Sequence, residues 1–285
     1  MGEIHQLVTT HGRDRAKDLV SAEERHHVDL AVQVMGEEEH TQRVYLYSGF
    51  AMTNLPHRRL KHDNDAWERQ NGRFTLLVEP GRLIGRDGKP IRDGDGKPKV
   101  IGIPYGPRAR LILIYLQSEA VRTQSPDVKI GSSMADWMEK MGVSNGGTSY
   151  TAVGEQAMRL SACRLTVGWT EDDQGRSGFE RASIVSAMMF TAPSTDPRQG
   201  SLWDETARLS GEFFQALVDH PMPVSEAAIK AIKSSSLSLD VYVWLCYRLR
   251  SISKPTTISW EALRSQFGPQ VQQMFKFRQG FLPAL

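Results

Sequence analysis

The 285-residue sequence predicts a protein of the α+β class. Two observations lead to this expectation: apolar residues recur at helical spacing in several segments, and short strand-like segments are bounded by Gly and Pro. The hydrophobic share of 40% and the charged share of 24% are ordinary for a globular protein. The length allows two small domains or one large one.

The central part of the chain carries the clearest helical signals. Pro107 stands at a first helical position and opens a segment, ending near Thr123, that is apolar over most of its circumference. Ser133, with Asp136 three residues later, has the spacing of a capped helix start, and Gly142 stands where that helix should end. We therefore expect a buried central helix followed by a short one.

A third helix and a hairpin are predicted next. A Gly-rich turn leads into residues 144–160, where apolar residues at helical spacing mark a buried face. Strand character follows at 164–169, turn residues at 172–178, and strand character again at 182–190. Three helices followed by a two-stranded hairpin are the plan of a winged-helix DNA-binding domain.

A similar helical order recurs nearer the C-terminus. Residues 237–249 are apolar around most of a helix, Ser259 has the position of an N-cap, Gly268 ends that helix, and another begins at Gln270. The order of buried helix, short helix, turn and polar helix thus occurs twice. The large apolar side chains of the last helix are expected in the core: Phe275, Phe277, Phe281 and Leu282.

Shorter patterns predict the remaining elements. They are a helix at 14–35, strands at 44–50 and 74–79, a long hairpin or mobile basic loop at 86–98, a third strand of the hairpin's sheet at 203–209, and a short helix at 211–218. Pro221 and Pro223 indicate a boundary. We expect an acidic helical segment (1–43), a first winged-helix domain with preceding small β elements and the basic loop (44–220), and a second winged-helix domain (221–285).

Charge is distributed unevenly along the chain. Residues 1–40 carry a formal charge of about −5, whereas residues 82–110 and 233–285 each carry about +5. An acidic head with two basic blocks fits a nucleic-acid binder better than an enzyme of small neutral substrates. The alternative is that these blocks are simply solvated surface.

Motifs for catalysis or metal binding are not found. No phosphate-binding Gly-Lys-Ser/Thr sequence and no zinc-ligand spacing occurs, and the calcium-like turn at Asp93 has Pro104 where a twelfth-position acid is needed. We therefore expect no enzyme activity, no cofactor and no metal. Cys163 and Cys246 lie in apolar surroundings and are interpreted as reduced packing residues of a cytoplasmic protein, and no signal peptide is expected in the charged first 30 residues.

Two groups of residues are candidates for DNA contact. A recognition helix needs a start that approaches DNA closely, free amides for phosphates, and a few polar side chains for base edges. The first group meets these needs: Asn145, Gly147, Thr148, Ser149, Tyr150, Thr151 and Arg159, with Arg176 at the hairpin tip. The second group is Arg264, Gln270, Gln273, Lys276 and Arg278.

Several longer strings resemble a known family. They are Leu-Pro-His-Arg at 55–58, Ile-Gly-Ile-Pro-Tyr-Gly-Pro-Arg-Ala-Arg-Leu at 101–111, Glu-Gln-Ala-Met-Arg-Leu at 155–160, Leu-Asp-Val-Tyr-Val-Trp-Leu at 239–245 and Ile-Ser-Trp-Glu-Ala-Leu-Arg-Ser-Gln-Phe-Gly at 258–268. Together they resemble the RepA-type plasmid replication initiators from about Phe50 onward. The glycine- and proline-containing string at 101–111 is the most specific of them.

The resemblance implies two winged-helix domains in tandem that bind repeated sites in double-stranded DNA at a plasmid origin. It further implies contact with the host replicative helicase and initiator proteins, a homodimeric form in repression of its own gene and a monomeric form in initiation, and a plasmid-associated location in the bacterial cytoplasm. Family members usually continue past residues 281–285 into a final hairpin, so we expect either that the second domain lacks its C-terminal wing or that the sequence is truncated. Two alternatives stay open: a winged-helix transcriptional repressor, including a repressor of its own gene, and a protein-interaction module without DNA binding.

Overall fold

The computed structural model describes residues 3–37, 43–72, 74–85, 89–170, 177–182, 185–188 and 206–285. Helices and strands are mixed in these ranges, which confirms the α+β class. The helices are α1 (Glu3–Leu19), α2 (Arg25–Glu37), α3 (Gly49–Met52), α4 (Gly106–Thr123), α5 (Met134–Lys140), α6 (Gly147–Ala162), α7 (Gly211–Asp219), α8 (Glu226–Ile232), α9 (Ser236–Arg248), α10 (Trp260–Phe267) and α11 (Met274–Phe281). The strands are β1 (Arg43–Tyr47), β2 (Trp67–Asn71), β3 (Phe74–Glu79), β4 (Gly81–Arg82), β5 (Val100–Ile101), β6 (Asp127–Lys129), β7 (Arg164–Thr170), β8 (Ser177–Ala182), β9 (Val185–Met188), β10 (Thr206–Leu209) and β11 (Pro221–Ser225).

The chain divides into two compact units, of which the first comprises Met1–Val44 and Pro223–Lys233. In this unit α2 packs against both α1 and α8. The single helix predicted at 14–35 is wrong, because the chain breaks between α1 and α2. There the amide and hydroxyl of Ser21 both donate to the carboxylate of Glu24, at 3.0 and 2.7 Å, which fixes a new helix start.

The second unit comprises Tyr45–Met222 and Ser234–Leu285 and is built around α4. This helix carries Pro107 in its first turn and is buried around most of its circumference, as the sequence predicts. It contacts α6, α7 and α9. Residues 234–285 therefore belong to the same compact unit as residues 45–222, whereas the sequence pattern suggests a boundary near Pro221.

Helices α5 and α6 also follow the predicted pattern. The side chain of Ser133 accepts a hydrogen bond from the amide of Asp136 at 3.2 Å and caps α5. Gly142 follows the helix with a φ of 65°, a conformation that favours glycine. Helix α6 buries its apolar face, which fixes the orientation of its exposed face.

A hairpin after α6 is confirmed, since β7 and β8 pair antiparallel in a four-stranded sheet of order β2-β3-β7-β8. Its returning strand is Ser177–Ala182, however, and not the predicted 182–190, of which residues 185–188 form β9 in another sheet. The described part of the predicted strand at 203–209 does pair with the segment predicted as the returning strand, at 185–188, but not with β7 or β8. Strand β10 instead pairs with β6 and β9 in a separate three-stranded sheet. Alternating burial, with Ala207 and Leu209 inside, identifies a strand but does not specify its partner.

The C-terminal helices pack around an aromatic cluster. Trp244, Phe267, Phe277 and Phe281 are buried together. Ser259 caps α10 as predicted, by accepting from the amide of Ala262 at 3.1 Å.

Three details of the last helix differ from the prediction. Helix α11 begins at Met274 rather than Gln270. Phe275 and Leu282, expected in the core, are 63% and 56% exposed. Phe275 lies two residues before the buried Phe277, which places it about 200° away around the helix, on the opposite face.

Candidate nucleic-acid interface

The start of α6 is an exposed and mostly neutral surface. Residues 144–148 are all exposed, as are Tyr150 and Thr151, whereas Ser149 is half-buried. The hydroxyl of Thr151 donates back to the carbonyl oxygen of Gly147 at 3.1 Å. Six of the predicted contact residues thus lie in one short segment, in which five are exposed and Ser149 is half-buried: Asn145, Gly147, Thr148, Ser149, Tyr150 and Thr151.

Glycine at positions 146 and 147 is not required by the fold. A Cβ atom built on either residue would meet no atom of the described chain within 4 Å. Gly146 has φ −139° and ψ 152°, an extended conformation that any residue adopts. The absence of side chains here therefore leaves open space outside the helix, into which another molecule can approach the backbone.

The backbone at this helix start also offers hydrogen-bond donors. Gly146 is the N-cap residue and supplies no side-chain cap. The first intrahelical bond of the turn runs from the amide of Tyr150 to the carbonyl oxygen of Gly146, at 2.9 Å. The three preceding amides of α6 have no acceptor within the helix itself, and such amides bind anions such as phosphate.

Arg159, predicted to hold a phosphate or a base, is instead an internal residue. Its side chain is only 7% exposed and donates to the carboxylate of Glu155 at 3.0 Å and to the carbonyl oxygen of Ile103 at 3.2 Å. It also pairs with Asp63 at 3.4 Å and lies 5.2 Å from the centre of the Tyr105 ring. A guanidinium that is held on several sides by the protein is not available to DNA, so this prediction is wrong.

The same region explains part of the glycine-rich string at 101–111. The amide of Tyr105 donates to the side chain of Gln156 at 2.8 Å, which ties this string to α6. A Cβ atom on Gly102 would collide with the guanidinium of Arg159 and with the carboxylate of Asp63. These residues therefore hold the inner side of α6 in place and leave its start exposed.

The second candidate surface lies on and before α11. Gln270, Gln273, Lys276 and Arg278 are all exposed. The guanidinium of Arg278 lies 5.0 Å from the centre of the Trp260 ring, so α10 positions it although the residue is exposed. Lys276 lies over the exposed ring of Phe275 at 6.0 Å.

Arg264 differs from the other members of this second group. It is half-buried, and one of its nitrogens donates to the carbonyl oxygen of Gln272 at 2.7 Å. This bond fixes the turn between α10 and α11. Arg264 therefore positions the second surface. Its other guanidinium nitrogens stay candidates for DNA contact.

A buried ion pair that was not predicted joins two helical sets, of which the first is α4–α5–α6 and the second is α9–α10–α11. Arg110 on α4 and Asp240 on α9 form a two-bond pair, with distances of 2.6 and 2.7 Å, and both side chains are largely buried. Arg110 also donates to the carbonyl oxygens of Leu55, Pro56 and Gly106. Three of the family-like strings, those at 55–58, 101–111 and 239–245, therefore meet at this guanidinium.

His57 extends the same cluster. Its Nε2 lies 3.0 Å from the carbonyl oxygen of Phe267, which only accepts, so Nε2 carries the proton and donates. Its Nδ1 lies 2.9 Å from the hydroxyl of Ser236 at the start of α9. Burial is the main cause that lowers the pKa of His57, and the positive charge of Arg110 acts in the same direction against the opposing charge of Asp240.

Arg69 and Asn54 complete the connection to the end of α10. The guanidinium of Arg69 donates to the carbonyl oxygens of Ser265 and Gln266, and the side-chain amide of Asn54 donates to Gln266 as well. No local pattern in the sequence identifies these pairs, because the partners are about 200 residues apart. Their capping of the α10 carbonyls fixes the turn that leads to α11.

The structure does not test every predicted feature. Arg176 lies outside the described residues.

Within the described ranges, no group of three or more His, Cys, Asp or Glu side chains is arranged to hold a metal ion. None of the helices in these ranges is both long and apolar enough to cross a membrane. Burial raises the pKa of the Cys163 thiol to about 12, as expected for a packing residue.

Comparison with known proteins identifies a family. The sequence profile of plasmid-encoded RepA proteins matches residues 103–262, which is more than half of the chain. No curated protein sequence matches the chain. A crystal structure of RctB domains 2–3 is similar with a TM-score of 0.48 and 11% identity, covering 83% of this chain and 80% of that chain. A selenomethionine derivative of the same two domains gives a TM-score of 0.49 and 12% identity, covering 84% and 83%. Similarity at this level carries no functional argument, but the extent of the profile match shows that this protein belongs to the family of plasmid-encoded RepA proteins.

Proposed function

We propose that this protein is a plasmid replication initiator that binds double-stranded DNA in a sequence-specific manner at repeated sites of a replication origin. Family membership supports the initiator role. The single observation that supports DNA binding most strongly is the exposed start of α6, where two glycines are not required by the fold. The proposal includes no enzyme activity and no cofactor.

In this proposal α4, α5 and α6 with the hairpin β7–β8 act as a winged-helix domain. Helix α6 is the recognition helix and enters the major groove by its first turn. The amides of Gly147 and Thr148 bind a phosphate, and the side chain of Asn145 contacts a base edge. Arg159 takes no part in contact and holds the helix from inside.

The second helical set is proposed as a second winged-helix domain that contacts the same duplex. Lys276 and Arg278 neutralise phosphates, and Gln273 reaches a base edge. As an initiator the protein is also proposed to contact the host helicase and initiator proteins, to form a homodimer, and to act on plasmid DNA in the cytoplasm. Family membership supports the proposed protein partners. The exposure of the α6 start and the exposed cations of α11 support the proposed DNA contacts.

Footprinting across the DNA that flanks this protein's own gene tests the proposal. We expect protection of several tandem direct repeats. Protection of a single palindrome would instead identify a repressor, and no protection with folded protein would contradict DNA binding altogether.

Two single substitutions separate base recognition from phosphate contact. Asn145→Ala should relax the preference at one base pair, at a cost of about 1–3 kcal/mol for the preferred sequence. Arg278→Ala should weaken binding to all sequences alike and reduce the slope of log affinity against log salt by about 0.9. A preference profile that is unchanged by Asn145→Ala would exclude that residue as a base reader.

A further inference from the structure

The segment between β4 and β5 forms an arm on the surface. The proposed function assigns no role to this arm. We call residues 82–99 the basic arm, of which residues 86–88 lie outside the described ranges. Its backbone is held by hydrogen bonds from Ile91 to Leu83 at 3.0 Å and from Lys99 to Ile91 at 2.7 Å. Two isolated bridges, Ile84 with Pro90 and Arg92 with Pro98, continue this pairing.

The arm has a defined backbone but contributes almost nothing to the core. Every residue from 89 to 99 is exposed. A turn within it is fixed locally, because the carboxylate of Asp93 accepts from the amides of Asp95 and Lys97 at 3.0 and 2.9 Å. An ordered backbone with exposed side chains presents those side chains to a partner at little cost in conformational entropy.

The charge of the arm is predominantly positive. Its described residues contain five cations and two acids: Arg82, Lys89, Arg92, Lys97, Lys99, Asp93 and Asp95. The carboxylate of Asp93 is directed at backbone amides of its own turn. The resulting surface is complementary to a polyanion.

The base of the arm is attached to the far end of α6. A Cβ atom on Gly81 would collide with the carbonyl group of Ala162, the last residue of that helix, so β4 is packed closely against it. At about 1.5 Å per residue, the 16-residue helix separates this point from Gly147 by roughly 23 Å. The arm is thus fixed to the recognition helix but begins well away from its DNA-contacting end.

We infer that the basic arm binds backbone phosphates of the DNA duplex that flanks the site contacted by α6. This inference rests on the proposed function and adds to it a further contact that does not depend on the DNA sequence. Lys97 and Lys99 are the most informative residues, because among the contacts described only their backbone atoms, and not their side chains, are used in the arm's own hydrogen bonds. Neutralising them should remove charge without unfolding the arm.

The experiment measures the salt dependence of binding by fluorescence anisotropy, with full-length protein and a duplex that carries one protected repeat and about 15 flanking base pairs on each side. We expect K97Q/K99Q to reduce the slope of log affinity against log salt by about 1.8, since each lost phosphate contact contributes about 0.9. The base-preference profile should stay unchanged. On a duplex trimmed to the repeat, the variant and the unaltered protein should have the same slope.

Two control variants make the result decisive. K97R/K99R keeps both charges and should keep the original slope, whereas K61Q/K254Q removes two exposed lysines outside the arm and should also keep it. An unchanged slope for K97Q/K99Q on the long duplex would overturn the arm contact while the proposed function stands. Failure of the unaltered protein to bind any repeat would overturn the proposed function itself.

Discussion

The two helical sets, α4–α5–α6 and α9–α10–α11, share an order but expose charge in opposite ways. In the first set the cation of the last helix, Arg159, is turned inward and the exposed surface is neutral and small. In the second set Lys276 and Arg278 face outward, and an aromatic cluster fills the inside. A neutral surface with accessible amides suits close approach to bases, whereas outward cations suit phosphate contact. In the proposed function, the first set therefore recognises bases and the second set binds phosphates.

The largest effect on this arrangement should come from the ion pair that joins the two sets. Asp240→Asn leaves the buried guanidinium of Arg110 without a compensating charge, so we expect a loss of about 3–5 kcal/mol in the free energy of unfolding. Urea denaturation followed by circular dichroism measures it. The matched control is Glu119→Gln, which breaks the more exposed pair of Glu119 with Arg122.

That control should cost less than about 1 kcal/mol, since partly exposed pairs at helical spacing contribute little. A loss of similar size for both variants would mean that Arg110 and Asp240 do not hold the sets together. The two helical sets would then be independent of each other in stability.

A smaller and more selective effect is expected from two glycines at the two sides of α6. Gly102→Ala forces a methyl group against Arg159 and Asp63 and should cost about 1–3 kcal/mol in the free energy of unfolding. Gly147→Ala meets only open space and should change stability by less than about 0.5 kcal/mol. Gly147→Ala should nevertheless weaken DNA binding, because the methyl group occupies the space that the proposal gives to DNA.

Denaturation and DNA binding are measured on the same two variants. If Gly102→Ala is as stable as the unaltered protein, the inner side of α6 is not tightly held. If Gly147→Ala is stable and binds DNA normally, the exposed glycines do not mark the point of close approach.

Local signals account for what the sequence predicted well. Pro107, Ser133 and Ser259 each act within one helical turn, so their effect on helix starts is visible in a few neighbouring residues. The exposure of residues 144–148 is equally local, because a polar, glycine-rich turn has little apolar area to bury. The fold class and the first candidate surface follow from these signals.

The failures have a common physical origin in long-range contacts. Glu155 and Arg159 have the spacing of an exposed ion pair on a helix. Arg159 is buried because Asp63 and the 101–105 segment, which are distant in sequence, pack against it. The pairing of β10 with β6 depends in the same way on residues about 80 positions apart. Neither partner can be identified from the spacing of nearby residues.

The smallest expected effect is on the pH dependence of the free energy of unfolding. It comes from His57, whose imidazole also contacts the second helical set. Its pKa is lowered in the folded protein, so between about pH 6.5 and the lower folded value the unfolded chain binds the proton more tightly. Stability should be complete above about pH 6.5 and fall as the pH is lowered through this window, by at most about 1.4 kcal/mol per pH unit for one proton.

Unfolding free energies measured from pH 7.5 to 5.5 should show this slope, and His57→Gln should flatten it because glutamine does not titrate. His62→Gln removes an exposed imidazole and should leave the slope unchanged. An identical slope for the unaltered protein and His57→Gln would mean that His57 is solvated, and that the contacts of the imidazole with Ser236 and Phe267 do not connect the two sets in solution.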